Sequence, residues 1–315
     1  MLASEVFKRD FTINSSGHLE IGGCDVVELA RVFGTPLYIL DEEKIRGNCR
    51  TYREALKGVY PNYEVVYAGK AFLTQAMCGL VYQEGLGLDV VSGGELYTAL
   101  QAGFPAERIN FHGNNKSRAE LMMALKNGVG RIMVDSLMEL ETLIQLAMET
   151  RTQPQIMLRL KPGVVAHTHT YAQTGQEDSK FGMGINDGVA MKAVKIALAS
   201  PHLKLLGFHS HIGSQIFEVA PFKATVDVLT AFMAEIRTQT GFVAQVLDLG
   251  GGFGIGHNKQ EKPRALREIV AEIGRYARER LTALQYPLPR LVLEPGRSII
   301  GPAGTTIYTV GNIKR

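Results

Sequence analysis

Short runs of β-branched, aromatic and aliphatic residues punctuate this chain. They fall at Tyr63–Tyr67, Gly87–Val91, Ile109–Phe111, Arg131–Val134, Gln155–Leu160, Leu205–His209, Val246–Leu249 and Leu291–Glu294. Most are separated by stretches whose apolar residues recur at helical spacing, such as Gly93–Ala102, Ser117–Asn127 and Leu137–Thr150. Strand–helix alternation of this kind predicts parallel strands joined by crossover helices. Eight such units between residues 63 and 294 match the size of an α/β fold of the (β/α)8, TIM-like barrel type. An open doubly wound sheet is the rival. It has fewer strands as a rule, and no G-x-G-x-x-G opens the first helix.

The flanks read differently. Phe7–Ile21 predicts one or two strands turning at Asn14–Gly17, and Cys24–Phe33 has helical spacing that stops at Gly34. Pro36–Leu40 is strand-like, with Asp41 as the N-cap of a helix to about Leu56. Ser298–Arg315 alternates again, most clearly at Thr306–Val310, and predicts a strand that leaves the barrel. The division expected is an N-terminal β segment at 1–36, the barrel at 37–295, and at 296–315 the start of a small second β domain built from both chain ends. Lys161–Gly184 is polar and too long for a simple strand-to-helix turn, so it reads as a mobile lid.

Composition narrows the function classes. A formal charge of +3 gives no electrostatic case for nucleic acid or a membrane surface. The basic stretch Lys259–Arg280 also carries Glu261, Glu268, Glu272 and Glu279, the mixed pattern of a solvated helix face. Cys24, Cys49 and Cys78 are far apart and form no CxxC pair, which fits a reducing compartment. With no apolar h-region at the N-terminus and no membrane-length apolar run, the expected location is the cytoplasm.

In a barrel the C-terminal strand ends share one face, where active sites are built. The chemically unusual residues gather there. Lys70 follows the first run, Asp89 lies in the second, His112 follows the third and Arg159 sits late in the fifth. His209 and His211 end the sixth, Gly250-Gly251-Gly252 ends the seventh and Glu294 ends the eighth. A strand that delivers one lysine among apolar neighbours favours the neutral amine, which can form an imine with a carbonyl. A strand-end lysine reaching for water would read the same from this stretch alone.

Bare amides in the turn Leu249–Gly254 can cradle a phosphate, and three successive glycines exceed what a tight turn needs. Gly213 and Ser214 can add an amide and a hydroxyl. The histidine pair fits a flat ring over an aromatic cofactor, a buried core role, or, with Asp248, the metal centre of a hydrolase. Glu294 follows an apolar strand and needs a cation, either Arg297 or a protonated ring nitrogen. Together these are the parts of a pyridoxal 5′-phosphate site.

The segments Tyr67–Ala71, His209–Gln215, Leu249–Gly254 and Glu294–Arg297 resemble those of the alanine-racemase-fold, pyridoxal-phosphate-dependent decarboxylases. They occur in the family's order and cover nearly the whole chain. Gly175–Gly182 is similar to the branch that acts on meso-2,6-diaminopimelate; ornithine and arginine decarboxylases match this excursion less well. The resemblance implies loss of CO2 from meso-diaminopimelate to give L-lysine, the last step of lysine biosynthesis, in a homodimer without a metal. It implies that Lys70 carries the cofactor, His211 stacks on its ring, Ser214 and Gly250 to Gly252 hold its phosphate, and Glu294 pairs with the ring nitrogen. Pro295, Gly296 and Arg297 lie in the segment that binds phosphate and the substrate carboxylate. Asp89 and Arg159 match positions near the cofactor, Arg159 on the substrate side. Family members continue with a Cys-Glu/Asp segment and a tyrosine that complete the site across the dimer interface. Without these, the expectation is weak cofactor binding and no turnover. A non-catalytic cofactor-binding relative is the alternative.

Overall fold

The computed structural model describes residues 11–164, 180–256 and 264–314. The N-terminal part is a small antiparallel sheet of β1 (Thr12–Ile13), β2 (Leu19–Ile21) and β3 (Cys24–Asp25). The helical spacing that starts at Cys24 resolves into two elements. Cys24 and Asp25 pair with Ile21 and Glu20, and α1 (Val26–Phe33) begins only afterwards. Asp25 ends the strand because its carboxylate accepts the amides of Val27 and Glu28, which is an N-cap. Then come β4 (Leu37–Leu40) and α2 (Glu42–Lys57), the latter capped by Asp41.

The barrel proper alternates β5 (Tyr63–Ala68), α3 (Gln75–Gln83), β6 (Gly87–Val90), α4 (Gly93–Gln101), β7 (Ile109–Phe111), α5 (Arg118–Lys126), β8 (Arg131–Val134), α6 (Leu137–Thr150) and β9 (Gln155–Lys161). It continues through β10 (Met183–Gly184), α7 (Val189–Ala199), β11 (Lys204–His209), α8 (Ala220–Thr240), β12 (Val246–Asp248), α9 (Leu266–Ala283) and β13 (Arg290–Leu293). Eight strands pair in parallel and close where β13 returns to β5; β10 is an addition beside the end of β9. Ser92, Ser117 and Ser136 each accept an amide of the helix they precede, so α4, α5 and α6 start at a fixed point after their strands. A short α10 (Arg297–Ile300) leads to β14 (Gly304–Ile307), which pairs antiparallel with β4 outside the barrel.

The barrel interior is filled by Val66, Met133, Met157, Leu206, Val246 and Val292. Side chains two residues apart on a strand face the same way. Ala68, Asp135, Arg159, Asp248 and Glu294 therefore stack one layer above that apolar floor, at the C-terminal mouth. Strand β11 departs from this rule. Its register shifts between Leu205 and Gly207, so His209, three residues beyond Leu206, stands opposite Arg159. The bulge requires glycine, because a Cβ at position 207 would run into the Val246 carbonyl.

Candidate active site

A cavity of about 870 Å³ opens at this mouth. Lys70, Asp89, Arg159, His211, Ser214, Gly251, Gly252, Glu294, Gly296 and Arg297 all border it. Gly250 and Pro295 lie behind the wall. The Gly250 carbonyl accepts the Glu294 amide at 2.8 Å, and the Pro295 carbonyl accepts the Ala68 amide at 3.0 Å. The lid expected at 161–184 falls largely at 165–179, outside the described residues.

Glu294 is clamped from two sides. His112 Nε2 lies 2.8 Å from Oε1, and His209 Nε2 lies 3.1 Å from Oε2. The two imidazoles meet edge to face at 4.8 Å. Asp89 Oδ1 lies 3.5 Å from His112 Nε2 and has no hydrogen bond among the described residues. Burial opposes ionisation of Glu294, but the His112 and His209 imidazoles overcome it and hold the acid well below its ordinary range. Burial likewise opposes the His112 cation, and here Glu294 and then Asp89 overcome it, raising His112 to about 9. The remaining groups follow their desolvation. Burial and the Glu294 charge push Asp89 up to about 7 and also favour the protonated form of Asp248. Burial takes His209 down to about 4 against the pull of Glu294. At neutral pH the floor of the cavity thus pairs the Glu294 carboxylate with the His112 imidazolium, while burial disfavours charge on Asp89 and Asp248.

Lys70 follows β5 in a single 3-10 turn, Gly69–Ala71. Its side chain is exposed and borders the open cavity. Burial, then the Arg159 charge, lowers its pKa, and Glu294 and Asp89 only partly oppose this. That is the condition for a nucleophilic amine.

Across the cavity the glycine turn is held rigidly from beneath. Phe253 is buried between Tyr52, 5.3 Å away edge-on, and Phe222, stacked at 5.0 Å. Tyr52 also bonds Ser298 at 2.6 Å. A Cβ on Gly251 would run into the Glu294 carbonyl, so this turn packs directly on the strand end that bears Glu294. The Gly251 amide reaches His211 Nδ1 at 3.3 Å, which ties that ring to the turn.

The metal arrangement considered for His209, His211 and Asp248 is not what the fold assembles. His211 Nδ1 faces the Gly251 amide, and Asp248 Oδ1 accepts the Gly250 amide at 2.8 Å. Among the described residues, the set with ligand atoms close together is His112, His209 and Glu294, within 4.8 Å, already joined by hydrogen bonds. Sequence reasoning places His112 at a strand end but finds it no partner. It also passed over Phe181, whose ring lies 4.4 Å from the Arg159 guanidinium, and the buried group Lys116, Asp135 and Glu139. The run His112-Gly113-Asn114-Asn115-Lys116 just past a strand end was the available signal.

Comparisons with known proteins agree with this arrangement. The family model described as pyridoxal-dependent decarboxylase, pyridoxal binding domain, matches residues 42–301. The chain is 48% identical over 301 residues to diaminopimelate decarboxylase of Bacillus subtilis, spanning 96% of this chain and 69% of that protein. It is 42% identical over 317 residues to diaminopimelate decarboxylase of Mycobacterium tuberculosis, spanning 99% and 70%. The crystal structure of diaminopimelate decarboxylase from M. jannaschii in co-complex with L-lysine superposes with a TM-score of 0.90 at 34% identity, covering 100% of this chain and 72% of that one. By its barrel and by these matches, the chain belongs to the pyridoxal-dependent decarboxylases, in the diaminopimelate decarboxylase family.

Proposed function

We propose that the cavity is the site at which meso-2,6-diaminopimelate loses CO2 to give L-lysine, with pyridoxal 5′-phosphate as cofactor. The carrying observation is that Lys70 and Glu294 border one cavity, the amine less basic than usual and the acid held ionised. The donor set fits the cofactor. A primary amine in a partly dry cavity suits an aldehyde. A carboxylate fixed by two imidazoles suits a ring-nitrogen cation. A glycine turn with no room for side chains suits a phosphate.

On this reading Lys70 holds the cofactor, Glu294 and Asp89 face its ring nitrogen, and His211 supports its ring. Ser214 and Gly250 to Gly252, with Gly296, hold its phosphate. Arg297 and Arg159 supply the positive charge that binds substrate carboxylates. When bound, the cofactor supplies an electron sink for the pair left behind by CO2. The chain's own residues orient the substrate, exclude water, and keep the anion that makes the sink effective. The reading extends to a cytoplasmic homodimer, which sedimentation of the loaded protein would check.

The test has two parts. Protein loaded with pyridoxal 5′-phosphate should absorb in the violet, and borohydride should bleach that band and leave the label on Lys70. Release of CO2 from meso-diaminopimelate is then assayed in this chain and in one carrying the additional length of its relatives. Label on a different lysine, or no CO2 from either form, overturns the reading. Labelling without CO2 would favour a non-catalytic cofactor binder, and a preference for ornithine or arginine would move the substrate.

A further inference from the structure

Beside the cavity Arg159 belongs to a second group of buried charges whose other members the reaction described so far does not use. Lys116, Glu139, Asp135 and Arg159 have side chains only 1%, 7%, 5% and 10% exposed. Two cations face two anions, which is the condition under which charges are tolerated in a dry interior. Lys116 Nζ donates to the Gly113 carbonyl at 2.6 Å and the Met133 carbonyl at 2.8 Å, and meets Glu139 Oε1 at 2.8 Å. Two of the three ammonium hydrogens go to those carbonyls, and Glu139 Oε1 meets the charge as an ion pair without a hydrogen bond among the described residues. Glu139 turns its other oxygen to the Asp135 amide at 3.1 Å.

Asp135 is thus fixed from behind, and its carboxylate points forward to two places. Oδ2 accepts the Gly182 amide at 3.1 Å, and Oδ1 lies 3.7 Å from Arg159 Nη1. Arg159 sits in β9, and Gly182 immediately precedes β10, whose Met183 pairs beside Leu160. Between them Phe181 lies 4.4 Å from the Arg159 guanidinium. Arg159 and Phe181 both border the cavity.

We propose that Asp135 is a positioning residue for substrate recognition. Its carboxylate, on a residue whose backbone amide Glu139 holds, keeps the Arg159 guanidinium against Phe181 as a flat cationic wall for a substrate carboxylate. The proposal rests on the substrate-binding role given to Arg159 above. A long, rotamer-rich side chain binds an anion well only if it is already held in place, and Asp135 supplies that restraint without touching the substrate.

Asp135→Asn is nearly isosteric and keeps an acceptor for Gly182 but removes the charge facing Arg159. In the chain itself, phenylglyoxal should modify Arg159 about tenfold faster in this variant relative to Arg297, alongside the lower melting temperature expected when a buried cation loses its anion. In the active form, KM for meso-diaminopimelate should rise about tenfold to a hundredfold, the span of one charge-assisted contact, with kcat within about twofold. Asp135→Glu should recover most of the lost affinity. Phe181→Leu removes the other support and should move Arg159 reactivity and KM in the same direction, which keeps the test open if the asparagine variant fails to fold. In an Arg159→Met background, Asp135→Asn should add less than about twofold. Unchanged Arg159 reactivity, or a full additional KM effect in that background, overturns the proposal. If Arg159→Met alone leaves KM unchanged, the failure lies instead in the substrate-binding role of Arg159.

Discussion

Replacing Glu294 by glutamine removes one charge and almost no volume. In the folded protein His112 holds its proton up to about pH 9, against an ordinary value of 6.5. Burial works against that proton, so the surplus comes from Glu294 at 2.8 Å and, after it, Asp89 at 3.5 Å. The gap between the two values corresponds to about 3 kcal/mol in favour of the folded imidazolium. A pKa raised on folding stabilises fully below the unfolded value and is lost as pH rises through the folded one. The His112 contribution to native stability should therefore fall by about 3 kcal/mol between pH 6.5 and a little above 9. In Glu294→Gln the largest attraction on that proton is gone and Asp89 is left to oppose burial, so His112 should lose its proton at lower pH and much of that slope should disappear. Urea unfolding followed by circular dichroism at several pH values reads it directly; the chain has no tryptophan to report by fluorescence. In the loaded protein the same variant should retain pyridoxal phosphate on Lys70 yet lose decarboxylation by about a hundredfold or more, the scale of one preorganised electrostatic contact. A variant with the wild-type pH slope would refute the charge pairing, and one with full activity would refute the catalytic role.

Further outcomes follow from other parts of the site. Lys116→Met strands Glu139 in the interior and should cost about 3–5 kcal/mol in urea unfolding, the usual loss when one partner of a buried pair is removed. Gly251→Ala drives a Cβ into the Glu294 carbonyl and should abolish retention of pyridoxal phosphate through gel filtration; a variant that retains it would show that the turn can move. Lys70, its amine made less basic by burial and by Arg159, should react with trace acetic anhydride at lower pH than the surface lysines. A Lys70 that titrates with the surface set would remove the argument for its nucleophilicity.

Much of the architecture follows from period and composition alone. The alternation of apolar runs with helical spacing marks eight units because each strand is buried on both faces and each helix on one, and burial is written locally in residue type. Strand ends are legible for the same reason, and with them Lys70, Asp89, Arg159 and Glu294 as neighbours on one rim. The cap at Asp25, by contrast, shortened a helix that spacing had begun at Cys24, because a strand pairing and a carboxylate capping bond competed for the same residues.

Which charges face each other was settled only by closure of the barrel. His112 and Glu294 are 182 residues apart in the chain yet 2.8 Å apart in space, and no local pattern encodes that meeting. His209 faces the cavity because one extra residue in β11 turns the strand, a twist that simple alternation cannot foresee. The brace from Lys116 through Glu139 to Asp135 is likewise invisible as spacing, since each member reads alone as a surface charge. Hydrophobic burial is a property of single positions and survives in the sequence, whereas Coulomb pairing and hydrogen bonding depend on distances that exist only once the chain has closed on itself.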